Sequence, residues 1–466
     1  MKIHSQKREL LSDKVTPVEL YLKMRDRFPG ALLLESGDYH GSKNSLSYLC
    51  FSPIASFIVE HSNIIVTLPG ETSKIYPATE KKKIPSLLHD FVTALHPEEN
   101  DTDNHNGVFG YTSFESAALF DRISLNESSP DPYGIPLMRY HFYRYVIVID
   151  HHHNRMSVIE NRTDGEQNKI TSIIDMLNSF SATDFPFRLT GKEEPNMSDN
   201  DFISLVQKGK SHCSRGDVFQ IVLSRRFSRS FSGDEFNVYR TLRYINPSPW
   251  MFFFDYGEYR IFGSSPESQI LINDGKASIN PIAGTYKRTG NDREDMLLAG
   301  KLLDDPKERA EHVMLVDLAR NDLSRHSRKV TVNTFKEIQF YSHVLHMVSS
   351  VTGEIPGDIS PETIYADTFP AGTLSGAPKI KAIELISRYE PHQRSFYGGA
   401  IGKIGFDNGL SHAITIRSFM SRNNTLFYQA GAGIVDKSDE MCELMEVNNK
   451  LGALRNAMKM ASELNK

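Results

Sequence analysis

The chain has little cysteine. Cys50, Cys213 and Cys442 are few, odd in number and far apart, which argues against a disulfide framework and against a zinc cluster. Long apolar runs are missing too. No stretch is long enough to span a membrane, and the opening Met1-Lys2-Ile3-His4-Ser5-Gln6 lacks the apolar core of a leader, so a cytoplasmic protein is expected. Charge of one sign is nowhere concentrated. The net charge is −5 and Lys81-Lys82-Lys83 is the one tight basic cluster, so nucleic-acid binding is not expected and an anionic ligand must be met by scattered cations gathered locally. Internal repeats and low-complexity segments are absent. The length of 466 residues leaves room for two or three domains.

Residues 1 to about 180 read as a mixed region. Pro17 to Phe28 has helical spacing; Ala31-Leu32-Leu33-Leu34 is a short buried strand ending in a turn at Glu35-Ser36-Gly37-Asp38. Phe57–Glu60 with Ile64–Leu68, and Tyr145–Asp150 with Met156–Ile159, read as hairpins, and Gly107–Tyr111 as a glycine-bounded strand. His151-His152-His153 falls in the second hairpin's turn, where adjacent side chains diverge and a solvated loop is the better reading than a metal site. Residues 181–197, with Pro186, Gly191 and Pro195, read as a linker, and Ser198 caps the helix that follows. This divides the chain into 1–180 and 198–466.

Notable motifs concentrate in the second region. In 304–325, Asp305 is an N-cap, Pro306 the first helical residue, and the run Val313 to Ala319 is apolar on almost every side, which predicts a buried helix. Glu308 and Glu311 lie one turn apart on it. Glu443 and Glu446 repeat that spacing on a second predicted helix, after Ser438 and Asp439. Two carboxylate pairs suit a hard cation such as Mg²⁺, or two solvated helix faces; spacing alone does not choose. Glu267 follows a predicted strand and a small-residue turn. Gln220 interrupts an apolar strand, as a core amide or a ligand contact. Asn280-Pro281-Ile282-Ala283-Gly284-Thr285 reads as a turn. His346, in a strand after His343, is by itself an ordinary core histidine. Phe369-Pro370-Ala371-Gly372-Thr373-Leu374-Ser375-Gly376-Ala377-Pro378-Lys379 fails the nucleotide-loop spacing and reads as a small-residue loop entering a helix. Tyr397–Gly402, Ile414–Ser418 and Gln429–Gly433 read as strands. Arg417 in the second calls for an anionic partner, from protein or ligand.

These motifs, in this order, resemble the chorismate-utilising enzymes, and most closely their anthranilate synthase component I branch. The likeness is strong over about 200 to 455 and weaker before that. The resemblance implies an α+β fold of antiparallel sheets packed together and flanked by helices, with a regulatory N-terminal region. It implies conversion of chorismate and ammonia to anthranilate and pyruvate, on the route to tryptophan. Other branches carry a lysine where this chain has Ala283 or Gln220, so the nitrogen here is expected from outside. A separate glutamine amidotransferase subunit is implied, since no amidotransferase motif surrounds any cysteine. By the same resemblance, Glu311 and Glu446 are direct Mg²⁺ ligands with Glu308 and Glu443 nearby. Gly284, Thr285, Tyr397, Arg417, Gly431, Ala432, Gly433 and Lys450 contact chorismate. Glu267 is the general acid and His346 acts in the later loss of pyruvate. Ser36, Pro249, Trp250 and Met251 match a tryptophan feedback site, with Trp250 standing where relatives commonly have tyrosine. The alternatives are another chorismate enzyme, such as aminodeoxychorismate synthase, or a non-catalytic tryptophan-binding subunit.

Overall fold

The structure is a computed structural model, and it describes residues 2–36, 45–78, 83–98, 105–126, 128–179, 181–341 and 344–464. The predicted turn residues Gly37 and Asp38, Lys81 and Lys82 of the basic cluster, and His343 lie outside the described residues. The fold is α+β, and its strand ladders are antiparallel. One run of ladders passes from Met138–Asp150 through Leu46–Val59, Leu32–Ser36, Trp250–Asp255, Tyr259–Ser265, Ser418–Arg422 and Thr425–Ile434 to Gln220–Gly233. A second passes from the same Met138–Asp150 strand through Gly107–Thr112, Ala400–Gly405, Leu410–Ile414 and Ser268–Asn273 to Lys276–Ile279 and Val344–Glu354.

Residues before 180 and residues after 198 therefore share ladders. Leu32–Ser36 pairs with Trp250–Asp255 so that Ser36 meets Trp250, and Gly107–Thr112 pairs with Ala400–Gly405. Leu33 packs into one core cluster while Leu32 and Leu34 pack into the other, the alternation a strand covered on both faces requires. The 181–197 segment is not a plain linker. Phe187–Leu189 and Glu194–Pro195 pair with successive parts of the Gln220–Gly233 strand, since a polar segment crossing a sheet edge satisfies its backbone there.

The ladders place the site. The chain crosses from the first run to the second at Pro266-Glu267, and back again at Thr415–Arg417. The two crossings are tied together: Ile414 N–H donates to Glu267 O at 3.0 Å and Ser264 N–H donates to Arg417 O at 3.1 Å. The crossings that carry Glu267 and Arg417 are thus joined through backbone hydrogen bonds from positions far apart in sequence.

Two helices flank this point. Pro306–Leu323 starts as its sequence predicts, with the Asp305 carboxylate accepting from the N–H groups of Lys307 and Glu308. It is not buried all round. Leu315, Val316 and Ala319 are buried but Val313 is 45% exposed, so the helix lies against the sheet along one stripe only. The helix Glu440–Ala461 is capped by Asp439, whose carboxylate accepts from Cys442 N–H.

Candidate active site

Glu267 sits in the first crossing, where the chain leaves one ladder before entering the next. Its side chain is buried, with one hydrogen bond from the Thr373 hydroxyl to Oε1 at 3.0 Å. Burial pushes its carboxyl up to about 8; the Thr373 hydrogen bond and the charge of Lys450 lower it only in part. At neutral pH this is a carboxylic acid holding a proton, the state a general acid needs.

Arg417 sits in the second crossing with a left-handed backbone, φ +50°. The sequence expectation of a residue within a strand is corrected: Leu410–Ile414 ends before it and Ser418–Arg422 begins after it. Burial pulls its guanidinium below the usual range, with Tyr397 a small opposing influence. Among the described residues no carboxylate lies within ion-pair distance of it. A desolvated cation without a protein counter-ion is a standing cost, and an anionic ligand removes it.

Bare backbone lies close to Tyr397 and Gln220. Gly431, Ala432 and Gly433 face Ser224, Leu223 and Val222 across the ladder. A Cβ on Gly431 would stand 3.2 Å from the Tyr397 hydroxyl, and one on Gly433 would stand 2.5 Å from Gln220 Nε2. Side chains at either position would fill the space. Lys450 reaches the same strand: Nζ donates to Gly431 O at 2.9 Å and pairs with Glu446 at 2.7 Å. The ion-pair and the site readings of Lys450 are therefore compatible.

The carboxylates approach from the two helices. Glu311 Oε1 accepts from Gln220 Nε2 at 3.0 Å, which takes Gln220 out of the class of plain core amides. Burial raises the Glu308 carboxyl, and the negative charges of Glu311 and Glu446 raise it further. Burial likewise raises Glu443, with Glu446 adding and Lys307 and Lys450 opposing. The four glutamates thus form one mutually repelling group across two helices. Among the described residues no three His, Cys, Asp or Glu side chains converge into a closed cation cage. Excess negative charge with an open donor set fits Mg²⁺, which takes one or two carboxylates and completes its shell with water and substrate oxygens. It does not fit a structural metal held by protein alone.

Asn280–Thr285 is not a turn. Ile282–Lys287 is a strand paired with Val344–Glu354, and the register slips between Ala283 and Thr285, at Gly284 with φ +70°. The bulge brings Gly284 close to Glu308, whose Oε2 would lie 3.0 Å from a Cβ there. Thr285 pairs with His346 across the ladder. The buried His346 ring places Nδ1 3.2 Å from Gly284 O, and burial pulls its pKa down to about 4. It is a neutral imidazole whose Nδ1 faces a carbonyl, which makes Nδ1 the protonated nitrogen.

Ser36, Pro249 and Trp250 line a cavity of about 610 Å³ that also reaches Pro266 and Ser268, on either side of Glu267. Met251 does not line it. It belongs to the same core cluster as Leu33 and Phe253, as the alternation of a strand places the residue next to Trp250. Sequence reasoning missed Thr373 as the partner of Glu267. The sole signal was a hydroxyl in a loop of small residues.

A sequence model of the family described as chorismate binding enzyme matches residues 31–456. The chain is 34% identical over 480 residues to anthranilate synthase component 1 of Aquifex aeolicus, covering 98% of this chain and 94% of that one. It is 35% identical over 469 residues to the protein of the same name from Neisseria meningitidis serogroup B, covering 98% and 95%. Among solved structures, anthranilate synthase component I from Streptococcus pneumoniae superposes with a TM-score of 0.77 at 28% identity, covering 96% of this chain and 99% of that one. The menaquinone-specific isochorismate synthase of Escherichia coli superposes with a TM-score of 0.75 at 16% identity over 98% and 95% of the two chains, a likeness of fold alone.

Proposed function

We infer the activity from one premise: the chain belongs to the chorismate binding enzyme family. Within it, the chain acts as the large, chorismate-converting component of anthranilate synthesis, making anthranilate and pyruvate from chorismate and ammonia in tryptophan biosynthesis. The observation that carries this reading is the pairing of a protonated Glu267 with a counter-ion-free Arg417 on two hydrogen-bonded crossings. One delivers a proton; the other receives a carboxylate of a dianionic substrate.

Neither position that carries a lysine in other branches supplies an amine here. Ala283 is buried and inert, and the Gln220 amide is engaged by Glu311. External ammonia is the remaining nucleophile, which favours anthranilate over the products of the lysine-bearing branches. Arg417, Tyr397 and the Gly431–Gly433 backbone hold one end of chorismate. Glu311 and Glu446, supported by Glu308 and Glu443, would hold Mg²⁺ beside the anionic substrate. Bound there, the ion would supply charge neutralisation and orientation. Glu267 gives its proton to the C4 hydroxyl, which leaves as water while ammonia adds at C2. His346, a neutral imidazole beside the Gly284 bulge, serves the later proton removal that accompanies loss of pyruvate and aromatises the ring. Identifying the products tests this reading. Anthranilate and pyruvate in equal amounts, dependent on ammonium, support it; an isomerised or 4-amino product overturns it.

Stripping Mg²⁺ with a chelator should abolish turnover and Mg²⁺ should restore it. Glu311→Gln should raise the Mg²⁺ concentration for half-maximal rate by about tenfold or more, read from a metal titration. Tryptophan is proposed to bind in the cavity at Ser36, Pro249 and Trp250. Because that cavity borders Pro266 and Ser268, its occupant bears on the segment carrying Glu267. Tryptophan should lower the rate, and Trp250→Ala should weaken that inhibition; activity unchanged at saturating tryptophan removes the feedback role.

Ammonia is supplied in this reading by a separate glutamine amidotransferase subunit. Cys50 is buried, and no amidotransferase motif surrounds any of the three cysteines. No helix among the described residues is long and apolar enough to cross a membrane. A cytoplasmic location is proposed with the pathway.

A further inference from the structure

Thr373 lies in the short helical turn Gly372–Ser375. Its hydroxyl reaches Glu267 Oε1 at 3.0 Å from 106 positions away in the chain. Among the described residues it is the one side chain that hydrogen-bonds to that carboxyl. The next residue, Leu374, is fixed from behind. Its carbonyl accepts from Arg394 Nη1 at 2.7 Å. Arg394 is 1% exposed, and three more of its donors are committed as well. Nη2 bonds Val222 O at 2.7 Å and Glu390 Oε1 at 2.6 Å, and Nε bonds Glu390 Oε2 at 2.9 Å. Glu390 in turn accepts from the N–H and the hydroxyl of Ser224, and Glu115 accepts from the N–H groups of Arg394 and Ser395. Such a cation, with its donors in a rigid planar fork, locks several backbone segments at once. The Thr373 hydroxyl is therefore presented to Glu267 from a clamped segment rather than from a free loop.

A carboxylic acid has one carbonyl oxygen and one hydroxyl oxygen. A donor directed at Oε1 makes that oxygen the carbonyl, and the acidic proton is then carried on Oε2. We propose that Thr373 is a positioning residue for the reaction: its donated hydrogen bond fixes the Glu267 carboxyl and reserves Oε2 as the oxygen that delivers the proton. The inference rests on the reading of Glu267 as general acid. When the proton passes from Oε2 to the departing hydroxyl, the carboxyl becomes a carboxylate. The hydrogen bond from Thr373 then becomes charge-assisted and strengthens. Its contribution is larger in the transition state than with substrate merely bound, so it belongs to kcat rather than to KM.

The test is steady-state kinetics of Thr373→Val, Thr373→Ala and Thr373→Ser on the full chain with chorismate, Mg²⁺ and ammonium, across neutral and alkaline pH. Thr373→Val and Thr373→Ala should lower kcat by about tenfold to a hundredfold, with the KM for chorismate changed by less than about threefold. Their alkaline limb should move to higher pH, because the donor that favoured the ionised carboxyl is gone. Thr373→Ser keeps the hydroxyl and should retain most of the activity and the parental limb. Parental kcat and limb in Thr373→Val overturn the proposal. So does an equal loss in all three variants with the limb unmoved, which marks a packing role. Full activity in Glu267→Gln would instead remove the general acid on which the inference rests, whatever the Thr373 variants do.

Discussion

Glu267→Gln is expected to lose anthranilate formation by a factor of about 100 to 10,000, the usual contribution of a positioned general acid. The amide is nearly isosteric and can still accept from Thr373, so chorismate binding should persist. The parent enzyme should show an alkaline limb. Glu267 is pushed up to about 8 by burial, and as an acid it works only while protonated, so rate per free ammonia should fall as pH rises through that value. Stability carries the same signature. Between the ordinary 4.5 and about 8 the folded chain keeps a proton that the unfolded chain gives up, so the parent loses stability as pH rises through that window. Glutamine does not titrate. Glu267→Gln should therefore gain stability relative to the parent as pH rises, in thermal unfolding followed at mildly acidic and at alkaline pH. A variant that is inactive and at the same time less stable at every pH would speak against a buried neutral acid.

Arg417→Met is expected to weaken the chorismate complex strongly while leaving the free protein as stable or more so. The guanidinium is desolvated and meets no carboxylate among the described residues. Its cost in the free chain is offset only when an anion arrives. Truncating one partner of a buried charge pair costs about 2–5 kcal/mol, or a drop in kcat/KM of about 30- to 5,000-fold. Methionine fills much of the same volume and carries no charge, so unfolding by urea should show equal or raised stability. Arg417→Lys should fall between the two, since a lysine does not reproduce the planar fork. A large loss of stability in Arg417→Met would mean that Arg417 is satisfied within the protein.

The two predictions share a cause. The site keeps an acid neutral and a cation unpaired, and both states are costly until substrate is present. Such features are only half legible in a sequence. The helix starts were legible, because a cap is local: Asp305 before Pro306, Asp439 before the second glutamate pair, and Ser198, whose capping box with Asp201 is complete. Glutamates one turn apart also declare their shared face. Other features mislead for physical reasons. Gly284 is a turn residue, and here it serves a bulged strand, which uses the same backbone freedom. Val313 looks like core and is exposed, because apolar content does not say which side of a helix meets the sheet.

Burial and long-range partners were not legible at all. Nothing near Glu267 announces that Thr373 will meet it, and nothing near Arg417 says that no carboxylate will. The tryptophan region shows both sides. The Leu32–Ser36 strand does meet the segment around Trp250, as its apolar run facing a proline-rich turn suggested. Yet Met251 packs into the core, a consequence of strand alternation once the register is known.

The most direct test of the central claim is anthranilate fluorescence from the purified chain supplied with chorismate, Mg²⁺ and ammonium, with no second subunit present. The account predicts anthranilate formation that requires all three and is lost in Glu267→Gln. A folded chain that consumes chorismate without forming anthranilate would contradict it.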